Sequence, residues 1–242
     1  MRIIKKVLAN VLCGFIPGRS FRTFVRLELA NPIRKWIRFA KSFSSKKHPR
    51  VRRTYGFRRA NFVIMVDDKW VFKFPIRGQK GWDVAEREKR ITDALRPISP
   101  IKIPKMEIFD CDGVAVRRYE FIRGIGWHSL NKKTQVKHVT KIAKQIANFL
   151  YIVGNADPVE IRDLKPIKND KPSIMHGWNQ NDLWENFILD PKTFDVLAVI
   201  DWEGAGFNDF YKAFTHGSKD TVGRKALLHE YLDIYKKKAR IK

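Results

Sequence analysis

The chain has 242 residues and carries 49 Lys and Arg against 25 Asp and Glu, a formal net charge of +24 at pH 7. With 44% hydrophobic residues, 7 Trp and 17 Phe, it holds enough apolar material for one or two small cores, which excludes a disordered basic tail. Cys13 and Cys111 make neither a metal-binding spacing nor a disulfide framework, which fits a reducing compartment, and no apolar run approaches the ~18 residues that span a bilayer. So large an excess of cations calls for a polyanionic partner: nucleic acid, an anionic membrane surface or a phosphorylated substrate.

The charge is concentrated at the start. Residues 1–53 contain 15 Lys and Arg against the single acid Glu28, a net of +14, and the remaining residues carry +10. Ile3, Ile4, Val7, Leu8, Val11, Leu12 and Phe15 recur at helical spacing around Lys5 and Lys6, until Pro17 and Gly18 break the pattern. A second helix is expected where Ile33, Trp36, Ile37 and Ala40 share a face and Arg34, Lys35, Arg38 and Lys41 lie elsewhere. Two short basic amphipathic helices with aromatic residues predict an interfacial membrane anchor; the alternative, apolar faces packed on the protein body, stays open. Met1 to Gly18 imitates a signal peptide but lacks a small-x-small cleavage site, so it is read as retained. The polar, basic stretch from Ser42 to Arg53 is expected to be a linker, which makes residues 1–53 a leader ahead of the body.

From Tyr55 the texture becomes strand, turn, strand. Phe62 to Val66 and Trp70 to Phe74 are apolar runs joined by the turn formers Asp67 and Asp68, a hairpin signal. Lys73 falls inside the second run, either as a buried functional lysine or on the wet face of an edge strand. Trp82 to Leu95 predicts a helix with Val84, Ile91 and Leu95 inward and with Glu86 and Glu88 able to meet a lysine of the neighbouring strand. Gly113 to Ile122 predicts a strand ended by Gly124 and Gly126, and Lys132 to Val153 a helix with Val136, Val139, Ile142, Ala143, Ile146 and Phe149 in register.

The densest chemistry lies between Ile174 and Glu203. A polar loop, Asn179-Gln180-Asn181-Asp182, and then Asn186 stand between apolar runs, and Asp201 ends the run Val196 to Ile200. A carboxylate at a strand end with an amide oxygen from a nearby loop is a donor set suited to Mg²⁺, and a further carboxylate upstream can deprotonate a hydroxyl.

These residues carry a resemblance. His176-Gly177, Asp182-Leu183 with Asn186-Phe187-Ile188-Leu189, and Val199-Ile200-Asp201-Trp202-Glu203 resemble in order the catalytic and metal loops of the aminoglycoside phosphotransferase and choline kinase branch of the protein-kinase-like superfamily. Val71-Phe72-Lys73-Phe74 resembles the strand bearing the ATP lysine, Arg87-Glu88 its partner helix, and Tyr119 to Gly124 the hinge, so the resemblance spans roughly residues 55 to 215. It implies an α+β, two-lobed kinase-like fold, with a β-rich lobe over 54–123 and a helical lobe over 124–242. It also implies ATP and Mg²⁺ as cofactors. Lys73 would hold the phosphates and be positioned by Glu88. Arg59 and Asn61, in the place of the phosphate-covering turn, and Phe121 and Ile122, at the hinge, would complete the nucleotide site. Asn186 and Asp201 would bind Mg²⁺, and Asp182 would be the catalytic base. Glu203 could assist the metal or cap the loop.

One departure from the family pattern matters. The family spaces base and metal-binding Asn by five residues, whereas Asp182 and Asn186 are four apart and Asn181 stands five before Asn186. Either the loop is rearranged around Asp182 or the base is lost.

The acceptor is expected to be a sugar hydroxyl of a bacterial lipopolysaccharide core or related glycolipid. Leu12 to Pro17, followed by Arg19 and Arg22, resembles the opening of bacterial surface-glycan enzymes, and a basic leader suits the cytoplasmic face of the inner membrane. Choline, an amino sugar or an aminoglycoside remain alternatives, as does a scaffold without catalysis. No recognition motif accompanies the charge, so nucleic acid is the least favoured partner.

Overall fold

The structure is a computed structural model that describes residues 31–55, 61–76, 81–165, 176–209 and 221–239. Chain contacts divide it into two compact units, one of Met1–Trp82 with Ile108–Phe121 and the other of Asp83–Glu107 with Ile122–Lys242. The architecture is α+β, as the resemblance implied.

In the first unit, helix α1 (Ile33–Lys41) precedes a sheet of five strands in the order β1-β2-β3-β5-β4. The strands are β1 (Val51–Tyr55), β2 (Asn61–Val66), β3 (Trp70–Pro75), β4 (Met106–Asp110) and β5 (Ala115–Glu120). The pairs β1–β2, β2–β3 and β3–β5 are antiparallel. Asp67 and Asp68 both adopt left-handed backbone (φ 56° and 52°), which lets the β2–β3 connection turn within three residues while Val66 pairs with Trp70.

Alternation along the strands sorts the sheet into two faces. Phe62, Ile64 and Val66 of β2 with Phe72 and Phe74 of β3 form the core with Ile33, Trp36 and Ala40 of α1. Trp36 stacks on Phe74 with ring centroids 5.0 Å apart and tilts onto Phe62 at 6.1 Å. This corrects two expectations. The apolar face of α1 is a core face rather than a membrane anchor, because a sheet rich in Phe offers it a drier surface than a lipid interface does. The supposed linker ends in a strand: Val51 to Tyr55 pair with Val66 to Phe62, so α1 and β1 belong to the sheet unit instead of a separate leader. The first expected helix, Met1 to Gly18, lies outside the described residues, as do Arg58 and Arg59.

The second unit begins with helix α2 (Trp82–Leu95) and continues through β6 (Ile125–Gly126), α3 (Lys132–Gly154), β7 (His176–Asn179), β8 (Phe187–Leu189), β9 (Val196–Val199), β10 (Gly206–Asp209) and α4 (Thr221–Ala239). Strands β6, β8 and β9 form one small sheet, and β7 with β10 another. The core joins Ile142, Ile146, Phe149 and Leu150 of α3 to Trp178, Phe187, Val199 and Trp202, and to Leu227 and Tyr231 of α4. Two inward expectations fail: Val84 and Val136 are exposed, each towards the N-terminal end of its helix, ahead of the packed stretch on its face. On α2 the buried positions are instead Ala85, Glu88, Ile91, Thr92 and Leu95. Among the described residues, no helix is long and apolar enough to cross a membrane.

Candidate active site

Lys73 is 3% exposed and lies on β3, a central strand, opposite Val63 on β2 and Arg117 on β5. The edge-strand alternative therefore falls. Alternation places Lys73 on the face of the sheet away from α1, beside a second buried cation, Arg117. Asn61, expected in the phosphate-covering turn, is the first residue of β2, and its Oδ1 accepts from an Arg117 guanidinium nitrogen at 2.6 Å. Its side chain serves a buried arginine that needs an acceptor. Phe121 closes the first unit, its N–H donating to the Lys69 carbonyl at 2.8 Å, and Ile122 opens the second. The chain thus changes units inside the expected hinge. Gly124 follows, and a Cβ there would overlap Ile188 and Leu189 of β8.

In the second unit the loop residues converge. Phe187 of β8 pairs with Val199 of β9, and the Ile200 N–H donates to the Asn186 carbonyl at 2.8 Å. The register thereby brings Asn186 and Asp201, 15 residues apart in sequence, to the same end of one hairpin. The Asn186 side-chain nitrogen donates to the Asp182 carbonyl at 3.0 Å, so its Oδ1 is the atom that remains for a cation. Asp182 heads the 3₁₀ turn Leu183–Glu185, and its side chain is exposed. Asp201 has φ 59° and ψ 63°, a left-handed conformation that a non-glycine residue adopts only when its surroundings hold it there.

Gln180 supplies that hold, and two neighbouring carboxamides tie the positions around it. Gln180, 1% exposed, donates from its side-chain nitrogen to the Asp201 carbonyl at 2.5 Å and to the Ile200 carbonyl at 3.3 Å. Its Oε1 accepts the Asp182 N–H at 2.9 Å. Asn181 donates to the Gly204 carbonyl at 2.5 Å, and Asn179 to the Asn208 side-chain oxygen at 2.6 Å. Gln180 and Asn181 are therefore staples between the two loops, and Asn179 ties β7 to β10. The signal for this role in the sequence is the run of three amides between apolar segments. They also bear on the spacing question. Asn181, five before Asn186, is committed to Gly204, and Asp182 is the carboxylate that faces out.

Glu88 of α2 is 4% exposed, and its carboxylate accepts the Trp202 N–H at 3.1 Å. Gly177 lets β7 cross the end of α3 closely, since a Cβ there would overlap the Gly154 backbone. Hydrogen bonds through Gln180 and the β8–β9 register thus tie Asp182, Asn186 and Asp201 together, and their carboxylate and amide oxygens are hard donors of the kind a divalent cation takes.

No family model matches the sequence, and no curated protein matches it. The fold does match solved structures. Wild-type aminoglycoside 2'-phosphotransferase-IIIa in its GDP complex superposes with a TM-score of 0.64 at 17% identity, covering 83% of each chain. The streptomycin–ATP ternary complex of APH(2")-IIa gives 0.57 at 14% identity, covering 84% of this chain and 83% of that one. Spectinomycin phosphotransferase APH(9)-Ia with ADP and spectinomycin gives 0.53 at 14%, covering 83% and 80%. The chain has the kinase-like fold of these phosphotransferases.

Proposed function

We propose that the protein is an ATP-dependent phosphotransferase that moves the γ-phosphate to a hydroxyl group, on a sugar of a bacterial lipopolysaccharide core or related surface glycolipid. The observation that carries the reading is the convergence of Asp182, Asn186 and Asp201 at one end of the β8–β9 hairpin, in a fold whose solved neighbours hold ATP, ADP or GDP. Asp201 and the Asn186 Oδ1 would hold Mg²⁺, which when bound neutralises charge on the nucleotide phosphates. Lys73 would hold the α- and β-phosphates. The Asp182 carboxylate accepts the acceptor's proton as that hydroxyl oxygen bonds to the γ-phosphorus. The bond from phosphorus to the β–γ bridging oxygen breaks, ADP leaves, and Asp182 returns its proton to water.

The acceptor class rests on charge. A chain at +24 repels polycationic acceptors such as aminoglycosides and attracts phosphorylated glycans. The exposed Arg34, Arg38 and Lys41 of α1 give the protein a basic face toward anionic lipid, consistent with a peripheral position on the cytoplasmic side of the inner membrane. A second reading, a nucleotide-binding scaffold without transfer, is favoured by the four-residue spacing from Asp182 to Asn186.

Mg²⁺-ATP at 100 times its dissociation constant should stabilise the protein by about 2.7 kcal/mol, and the absence of any thermal shift would refute the nucleotide site. Label transferred from γ-labelled ATP to purified lipopolysaccharide supports the acceptor. Label on a small amino sugar alone would replace it. ATP binding with no transfer to any hydroxyl would leave the scaffold.

A further inference from the structure

We infer that Gln180 is a positioning residue that sets Asp201 relative to Asp182, and so fixes the geometry in which a divalent cation meets the acceptor's base. The inference rests on the phosphotransferase reading and adds to it a residue that the motif resemblance does not assign.

The geometry is specific. A side-chain amide has one acceptor and one two-proton donor end, and Gln180 uses both. Its oxygen accepts the N–H of Asp182, and its nitrogen donates to the carbonyls of Ile200 and Asp201. One buried side chain therefore bridges the backbone of the proposed base and that of the proposed metal carboxylate. The bridge acts where backbone conformation is least stable by itself, since Asp201 is left-handed at φ 59°. With its carbonyl tied to Gln180, the ψ of Asp201 is restrained, and with it the point on the backbone from which the carboxylate projects. Asn181 to Gly204 secures the loop further on, and Glu88 holds the Trp202 N–H, the other end of the peptide group whose carbonyl Gln180 holds, but Glu88 makes no bond to Asp182 that would join the two loops. Position 180 is thus the point at which the two loops share one set of hydrogen bonds.

The role separates from ordinary structural support by what it moves. Gln145 is a useful counterpart: its amide donates to Asp195 at 2.8 Å and accepts the Val196 N–H at 2.8 Å, at the far end of the same hairpin. Loss of Gln145 should affect folding stability alone. Loss of Gln180 should affect cation binding.

The test uses the full chain with Gln180→Met, which keeps length and removes every hydrogen bond, and Gln180→Glu, which keeps the acceptor for Asp182 but sets a carboxylate against the two carbonyls. Gln145→Met is the control. Mn²⁺ affinity is measured by electron paramagnetic resonance with a non-hydrolysable ATP analogue, well below each variant's Tm. Slow ATP hydrolysis, with water as acceptor, is measured across a Mg²⁺ titration. Orphaning a buried carbonyl predicts about tenfold weaker Mn²⁺ binding in both Gln180 variants, with a hydrolysis rate that recovers as Mg²⁺ rises. Gln145→Met should bind Mn²⁺ as the wild type does. If Gln180→Met does not fold, Gln180→Glu carries the same comparison. Wild-type Mn²⁺ affinity and Mg²⁺ dependence in the Gln180 variants would overturn the inference and leave the phosphotransferase reading standing. Failure of the wild type itself to bind Mn²⁺ with nucleotide would overturn both.

Discussion

The carboxylate of Glu88 accepts the backbone N–H of Trp202 at 3.1 Å, joining residues 114 apart in sequence. The motif resemblance assigns the charge of Glu88 to Lys73, but the structure also gives its oxygen a neutral task, anchoring the residue after Asp201. The two tasks separate by substitution. Glu88→Ala should destabilise the fold by about 1–3 kcal/mol, because a buried N–H loses its acceptor. Glu88→Gln keeps an acceptor oxygen, so its melting temperature should stay near wild type while the KM for ATP rises. A Gln variant as unstable as the Ala variant would show that the charge, and not the hydrogen bond, holds the loop.

The three loop residues should differ in what they cost. Asp201→Ala should abolish phosphoryl transfer and the extra stability given by Mg²⁺-ATP. Asn186→Ala should lower both. Asp182→Asn should leave Mg²⁺-ATP binding intact and reduce turnover by about 10²–10⁴. Measured together by thermal shift and single-turnover transfer, they assign the roles. Unchanged turnover in Asp182→Asn would remove Asp182 from the mechanism.

Helix α1 should be structural on one face and electrostatic on the other. Trp36→Ala empties a site between Phe62 and Phe74 and should cost about 3–5 kcal/mol by denaturant titration. Replacing Arg34, Arg38 and Lys41 by Glu should leave Tm nearly unchanged and weaken cosedimentation with phosphatidylglycerol vesicles. Undiminished vesicle binding would assign any membrane contact elsewhere.

Asp195 supplies a pH dependence. Hydrogen bonds from Lys141, Thr193 and Gln145, the first largest, hold its carboxyl down to about 2, from an ordinary 3.8. A carboxyl depressed in the folded state stabilises above its unfolded value, and that contribution is lost as pH falls through the folded one. Asp195→Asn should therefore be less stable than wild type at neutral pH, with the difference shrinking between pH 4 and pH 2. A difference that stays constant across that window would mean that the charge contributes nothing.

Much of this fold was legible from periodicity. The Phe62–Val66 and Trp70–Phe74 runs, the helices from Trp82 and Lys132, and the order of the motif segments all emerged as expected, since each is set by local spacing of apolar residues. What misled were residues whose pattern is the same in two environments. The apolar stripe Ile33, Trp36, Ala40 suits lipid or a Phe-rich sheet equally well, and the stretch ending in Val51 to Arg53 shows no alternation because β1 is an edge strand with its arginines in water.

The sequence by itself determined which groups are present: a lysine inside an apolar strand, a carboxylate ending another, an amide between them, and +24 of charge. It could not determine where these groups stand relative to one another, because spacing along a chain does not fix distance in space. Tertiary structure decided that. The β8–β9 register brings Asn186 and Asp201 to one end of the hairpin, and Gln180 accepts the Asp182 N–H while donating to the Ile200 and Asp201 carbonyls. The charge was divided in the same way. The cations of α1 remain in water because its apolar face is taken up by Phe62 and Phe74.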